Sequence, residues 1–136
     1  MGMKTRIVTA VAVFISAGVH LKLWNDGFKD LHMVGPAFML NAVAGLVIGV
    51  ALVLWRSWLP PLLSVGFGLS TAGAFIISTT VGLYGVHEVW QGNYVWAAFI
   101  SEIVAVIGGA LVLWQELAAS GGQSEHRAAA RGADPV

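Results

Sequence analysis

Long stretches without charge constrain this chain more than any other feature. No Asp, Glu, Lys or Arg occurs between Asp30 and Arg56 or between Arg56 and Glu88, and residues 89–115 carry one charge, Glu102. A helix needs about 20 apolar residues to cross a bilayer, and each of these stretches is long enough. Backbone groups in hydrocarbon must be satisfied within the segment, which favours helices. The sequence therefore predicts an all-α, polytopic membrane protein.

The charge-free stretches divide the chain into four predicted transmembrane helices. Their approximate bounds are 4–24, 32–56, 61–87 and 92–116. Pro60 and Pro61 can separate the second helix from the third, because proline is tolerated in a first helical turn. Residues 1–118 thus form one four-helix transmembrane domain. Residues 119–136 are rich in Ala, Gly and charge, and we expect them to form a disordered cytoplasmic tail.

Composition excludes several classes of protein. Hydrophobic residues make up 57% of the chain and charged residues 10%, whereas a soluble domain has about 25% charged residues. The chain has no cysteine, so it has no disulfide, thiolate metal site or thiol nucleophile. Its formal net charge is zero, and we expect no nucleic-acid partner. The expected partner is the lipid bilayer, with a larger membrane complex or a homodimer left open.

Tryptophans and basic residues predict the orientation. Trp24, Trp90 and Trp96 fall at one set of helix ends, and Trp55, Trp58 and Trp114 fall at the other, as expected for two membrane interfaces. One side holds Lys4, Arg6, Arg56, Arg127 and Arg131, and the other holds Lys22 and Lys29. The positive-inside rule then places both termini in the cytoplasm, in a multi-pass protein of the cytoplasmic (inner) membrane.

Three short segments recur in the same order. Gly18-Val19-His20 recurs as Gly85-Val86-His87, residues 38–44 resemble 99–105, and residues 51–55 recur as 110–114. Asn41 then stands opposite Glu102. These matches predict an internal repeat, in which two parallel helix hairpins are related by an axis along the membrane normal. The alternative of a cleaved signal peptide, which would remove half of one hairpin, is disfavoured for that reason.

Glu102 is the strongest indication of a site. A carboxylate at this depth costs about 2.5–3.5 kcal/mol on insertion scales, so it should face the bundle interior and have a partner. Two interpretations remain open. Glu102 is either a neutral acid that only joins helices through Asn41 or Ser101, or a group that binds a ligand, a proton or a cofactor.

His20 and His87 occupy equivalent repeat positions near the predicted outer tryptophan belt. Two such histidines could hold a divalent metal, a haem through two axial imidazoles, or an anionic head group. The alternative is that each ring bonds only to a loop carbonyl. Polar groups cluster in the outer half of the predicted bundle, which predicts an outward-opening polar pocket between helices. The predicted ligand-binding residues are His20, Asn41, Tyr84, His87 and Glu102.

The usage of Ala, Gly and Val and the helix end His20-Leu21-Lys22-Leu23-Trp24 resemble those of small four-span membrane proteins of high-GC bacteria. The resemblance covers the spans and implies no activity. The function that the sequence favours is a non-enzymatic one, an accessory subunit or a membrane module that binds a small molecule or cofactor. The alternatives are a membrane enzyme with a lipid-soluble substrate, in which Glu102 is the catalytic general acid or base, and a small dimeric transporter.

Overall fold

The computed structural model describes residues 2–133 as four long helices joined by short connections. The helices are α1 (Gly2–Asn25), α2 (Val34–Leu54), α3 (Leu59–Thr80) and α4 (Asn93–Gly132). A short 3-10 turn, Phe28–Asp30, precedes α2. All four helices are long and apolar enough to cross a membrane. The predicted all-α, four-helix membrane bundle is therefore confirmed.

The helices meet at the two ends of the bundle. The last residues of α1 and α3 and the first residues of α2 and α4 lie at one end, which we call the Trp24 end. The last residues of α2 and the first residues of α3 lie at the other, which we call the Arg6 end. Large apolar side chains cover the outside between the two ends, among them Leu40 and Leu46, which are 70% and 58% exposed. Such a surface suits lipid, because exposed apolar area carries no penalty in hydrocarbon.

α1 is the most buried of the four helices. It packs extensively against both α2 and α4, and α3 packs extensively against α4, whereas α2 and α3 contact each other much less. Small residues allow the close approach, since a methyl group added at Gly49 would clash with Phe14 and one at Gly108 would clash with Thr9. The buried apolar core consists of Ala10, Val13, Ile48, Leu52, Phe67 and Ala105.

The Arg6 guanidinium joins three parts of the chain and is 1% exposed. Its Nη1 donates to the carbonyl oxygens of Leu52 (3.0 Å) and Trp55 (3.2 Å) at the end of α2. Its Nη2 donates to the Ser57 carbonyl (2.9 Å) and to Glu116 Oε1 of α4 (2.7 Å). The last carbonyls of a helix lack intrahelical partners, so Arg6 supplies both donors and a favourable charge there.

The third helix is shorter than predicted, because it ends at Thr80 rather than at residue 87. The amides of Val81 and Gly82 both donate to the Ile77 carbonyl at 3.0 Å, which closes the helix. Gly82 and Gly85 then adopt φ of 86° and 81°, which side chains disfavour and glycine tolerates. Residues 81–92 therefore form a loop, and His87 lies in it and not at a helix end.

The fourth helix is longer than predicted. It continues through Gly132, so the predicted disordered tail is wrong for residues 119–132. Alanine, glutamine, glutamate and arginine are good helix formers, and they outweigh Gly121 and Gly122. Residues 117–133 are exposed, so this extension projects beyond the bundle. The remainder of the predicted tail, 134–136, lies outside the described residues.

Replacement of Arg6 by methionine should destabilise the bundle by about 2–3 kcal/mol, because buried carbonyls and Glu116 lose a charged donor. Arg6→Lys should cost less, since it keeps the charge but cannot serve four acceptors. The matched control is Lys4→Met, which removes an exposed charge from the same helix and should change stability by about 0.5 kcal/mol or less. Unfolding in mixed micelles, followed by circular dichroism, gives the free energy of unfolding of all three variants. Equal losses for Arg6→Met and Lys4→Met would contradict the role given to Arg6.

Candidate functional site

A cavity of about 550 Å³ lies between α2 and α3, and α1 and α4 close its inner side. We call it the α2–α3 cleft. It extends from Leu62 and Leu63 near the Arg6 end to Leu83 and Glu88 in the 81–92 loop. Small side chains leave this space open where two helices would otherwise fill it. They are Ala37, Ala44, Gly66, Ser70 and Ala74.

The cleft opens on the side of the bundle, between α2 and α3. Leu40, Leu62 and Leu63 border it and are 70%, 43% and 44% exposed, so they lie at the lipid-facing edge. Gly66, also on the border, is exposed and has nothing within 4 Å of where a Cβ would stand. The open side of the cleft therefore lies on the apolar surface of the bundle.

Glu102 lies on the inner side of the cleft and is 2% exposed. The prediction that it faces the bundle interior is confirmed. Its Oε1 is 3.9 Å from Nε2 of His20, which is longer than a hydrogen bond. The Ser16 hydroxyl is a neighbour of this carboxyl but makes no hydrogen bond of ordinary geometry with it. Glu102 Oε2 has no hydrogen-bond partner among residues 2–133, which is costly for a buried polar atom.

His20 is held in one orientation. Its Nδ1 lies 2.8 Å from the Ser16 carbonyl, and its ring packs against Phe38 with centroids 4.9 Å apart. Phe38 in turn stacks on Phe28 of the 3-10 turn at 4.6 Å. A carbonyl only accepts, so Nδ1 carries the proton, and Nε2 of the neutral ring is a bare acceptor that faces Glu102.

Asn41 lines the cleft and bonds to α3. The Thr71 hydroxyl donates its single proton to the Phe67 carbonyl at 2.6 Å, so its oxygen can only accept from the Asn41 Nδ2, 2.8 Å away. This pairing determines which way the amide points. The Asn41 Oδ1 is left without a hydrogen-bond partner in the part of the chain that the structure describes. Asn41 therefore bonds across to α3 and not to Glu102, the partner that the sequence suggested.

The two remaining predicted residues lie in the 81–92 loop. Tyr84 borders the cleft but is 71% exposed and has a positive φ of 50°. His87 is exposed, packs beside Gly82 and does not line the cleft, whereas His20 is buried in α1. The structure therefore does not bring His20 and His87 to one surface. Within residues 2–133 no group of three His, Asp or Glu side chains is placed to hold a metal ion.

Glu88 lines the cleft and is not among the predicted ligand-binding residues. Its amide donates to the Ser78 hydroxyl (3.1 Å), and that hydroxyl donates to the Val86 carbonyl (2.8 Å). These bonds fold the loop back over the end of α3 and bring Glu88 to the cleft. Burial raises the pKa of the Glu88 carboxyl, because the charged form is poorly solvated there. No lysine or arginine in the described chain forms an ion pair with it.

Ser16, Thr71 and Phe38 also belong to the site and were missed. The spacing of Ser16 and His20, four residues apart on one helix, is a local signal that could have indicated their contact. Thr71 and Phe38 offer no such signal, because their partners lie on other helices. No protein-family model matches the chain, no curated protein matches it, and no solved structure matches it.

The raised pKa of Glu88 predicts a pH dependence of the loop. The folded loop holds the Glu88 carboxyl proton more tightly than the unfolded loop does, so this proton stabilises the folded loop fully below the ordinary pKa of 4.5. The stabilisation of the loop is lost as the pH rises through the raised pKa. Hydrogen exchange of the 81–90 amides should therefore become less protected with rising pH, beyond the intrinsic change in exchange rate.

Glu88→Gln should remove most of that pH dependence, since the amide does not ionise. Glu125→Gln, at an exposed position on the α4 extension, is the matched control and should behave like the unmodified protein. If Glu88→Gln kept the full pH dependence of loop protection, a group other than Glu88 would be responsible.

Proposed function

We propose that this protein is a membrane module that binds one small amphiphilic molecule in the α2–α3 cleft, either alone or as an accessory subunit of a larger complex. The observation that carries the proposal is the pairing of a long apolar cleft with unpartnered polar atoms of Glu102 and Asn41. The volume of about 550 Å³ lies in the range of small-molecule sites, about 300–1,000 Å³. An apolar body would lie along α2 and α3, with its polar group beside Glu102.

We further propose the setting in which the module acts. It belongs to the cytoplasmic membrane of a bacterium, with both termini in the cytoplasm, as the distribution of lysine and arginine favours. The Trp24 end then faces outward, and the polar part of the cleft lies in the outer leaflet. The two hairpins derive from a duplicated one, which Asn41 and Glu102 support by standing at matching positions. In this proposal, the difference between the end of α1 at Asn25 and the end of α3 at Thr80 arose after the duplication.

One observation favours a second candidate, a membrane enzyme with a lipid-soluble substrate. The 3.9 Å between His20 Nε2 and Glu102 Oε1 is too long for a direct bond and leaves these two groups free to exchange a proton with a bound atom. Glu102 would be the general acid and His20 the base. Recovery of the bound molecule unchanged after prolonged incubation supports a binding module, whereas a chemically altered product supports the enzyme.

A leucine at Gly66 should block the cleft. The position borders the cavity and has free space around it, so the new side chain would occupy the cleft without straining the backbone. Gly73→Leu is the matched control, on the same helix, with equal free space, outside the cleft lining. Native mass spectrometry of protein extracted from its membrane should show a bound small molecule for the unmodified protein and for Gly73→Leu, and should show it lost in Gly66→Leu. Equal occupancy in both variants would refute binding in the cleft.

The proposed orientation is tested by single cysteines, which the native chain lacks. A cysteine at Gly27 should react with a membrane-impermeant reagent in intact cells, because the loop between α1 and α2 lies outside. A cysteine at Ser124, on the exposed α4 extension, should react only after the cells are opened. The opposite pattern would reverse the orientation and place the polar part of the cleft in the inner leaflet.

A further inference from the structure

We infer that the polar group of the ligand is a primary ammonium, so that the α2–α3 cleft selects lipophilic amines. The inference rests on the proposed function and adds the class of ligand to it. It depends on two independent properties of the cleft, the charges that line it and the hydrogen-bonding atoms that it leaves unpartnered.

The charges that line the cleft are acidic. Glu88 and Glu102 are its acidic residues, and no lysine or arginine of the described chain lines it. Lys22, the nearest basic residue along α1 from His20, is already paired with Asp26. A carboxylate in a low-dielectric site needs an opposite charge close by, and the described lysines and arginines supply none to either glutamate. His20 Nε2 lies 3.9 Å from Glu102 Oε1, and the ring carries no charge in its neutral form. A cation is the ligand charge that this site stabilises, and an anionic head group would be repelled.

The unpartnered atoms of the cleft are acceptors. Within the described residues, Glu102 Oε2 and Asn41 Oδ1 have no hydrogen-bond partner of ordinary geometry, although the Ser16 hydroxyl lies beside the Glu102 carboxyl. Nε2 of His20 is a third acceptor when the ring is neutral. The orientation of Asn41 follows from Thr71, whose only proton goes to Phe67, so the amide cannot turn its Nδ2 to the cleft without losing its bond to Thr71. A ligand that brings N–H donors satisfies such atoms, whereas a phosphate or a carboxylate brings further acceptors.

The ligand's apolar part is set by the rest of the cleft. From Leu62 and Leu63 to the level of Asn41, the lining is formed by aliphatic and aromatic side chains together with small residues. A single alkyl chain would lie there, with the ammonium beside Glu102. A site that required only a positive charge would also bind a quaternary ammonium, and a site that required only a hydrogen-bond donor would also bind an alcohol. A primary amine, in its protonated form, meets both requirements.

Four probes with the same twelve-carbon chain separate these requirements. They are dodecylamine, dodecyltrimethylammonium, dodecanol and dodecanoate. Binding is measured by titration and native mass spectrometry of the full chain in phosphatidylcholine nanodiscs at neutral pH, with empty nanodiscs to subtract partition into lipid. Glu102→Gln keeps the shape of the side chain and removes its charge. Glu125→Gln removes an equal charge from an exposed site, and Gly66→Leu occupies the cleft.

Dodecylamine should bind about tenfold or more tightly than each of the other three probes, as expected for charge-assisted hydrogen bonds to a buried carboxylate. Glu102→Gln should weaken its binding by about the same factor, while Glu125→Gln should leave it unchanged. The inference is overturned if dodecanol, dodecanoate or the quaternary ammonium binds as tightly as the amine, or if Glu102→Gln keeps the preference. Circular dichroism checks that each variant folds. If Glu102→Gln does not fold, the relative affinities of the four probes for the unmodified chain decide whether the inference holds.

Failure of the inference and failure of the proposed function give different results. If an alcohol or an acid binds best and Gly66→Leu abolishes that binding, the cleft is a ligand site and the ammonium assignment is wrong. If none of the four probes binds above empty nanodiscs, and Gly66→Leu copurifies with the same small molecules as the unmodified protein, the cleft is not a ligand site.

Discussion

The contact of the Arg6 guanidinium with α2 and α4 determines how the four helices are arranged. One side chain on α1 joins the end of α2, the connection to α3 and Glu116 of α4, and it is almost fully buried while doing so. α1, α2 and α4 consequently form a tightly packed unit around α1. α3 joins this unit through α4, where the Ser64 hydroxyl donates to the Ala105 carbonyl at 2.9 Å. The gap between α2 and α3 is the remaining side, and the cleft occupies it.

The cleft combines features that a packed helix bundle normally avoids. Space remains beside α3 because small residues line the cleft there, and two buried acceptors of its lining, Glu102 Oε2 and Asn41 Oδ1, have no hydrogen-bond partner in the described chain. An unsatisfied buried acceptor costs about 1–3 kcal/mol, so a chain selected for stability alone would have paired or replaced such atoms. The arrangement is explained if a ligand supplies the missing donors. The same bundle without a ligand should be less stable, because binding to the folded state adds to stability by mass action.

Several features of the site depend on contacts between helices distant in sequence. The orientation of Asn41 follows from Thr71 and Phe67, and the position of the His20 ring follows from Ser16 and Phe38. Glu88 reaches the cleft only because Ser78 accepts its amide proton and donates to Val86. Each of these bonds removes one degree of freedom from a polar side chain in the low-dielectric interior. Polar side chains fixed in this way are suited to recognising one kind of head group.

The sequence by itself determined the class of the protein, its four spans and the burial of Glu102. Charge and hydropathy are properties of consecutive residues. The free-energy cost of a charged group in lipid is large enough that each span, and the burial of Glu102, can be predicted from the local sequence. Local pattern failed at the end of α3, where positive φ values at Gly82 and Gly85 override an apolar sequence, and beyond residue 118, where helix propensity overrides two glycines. Only the tertiary structure decided that His20 meets Glu102 while His87 lies apart, that Arg6 is buried, and that the cleft lies between α2 and α3. The physical reason is that side-chain contacts between helices depend on helix rotation and separation, which the packing of small residues sets and which no single segment encodes.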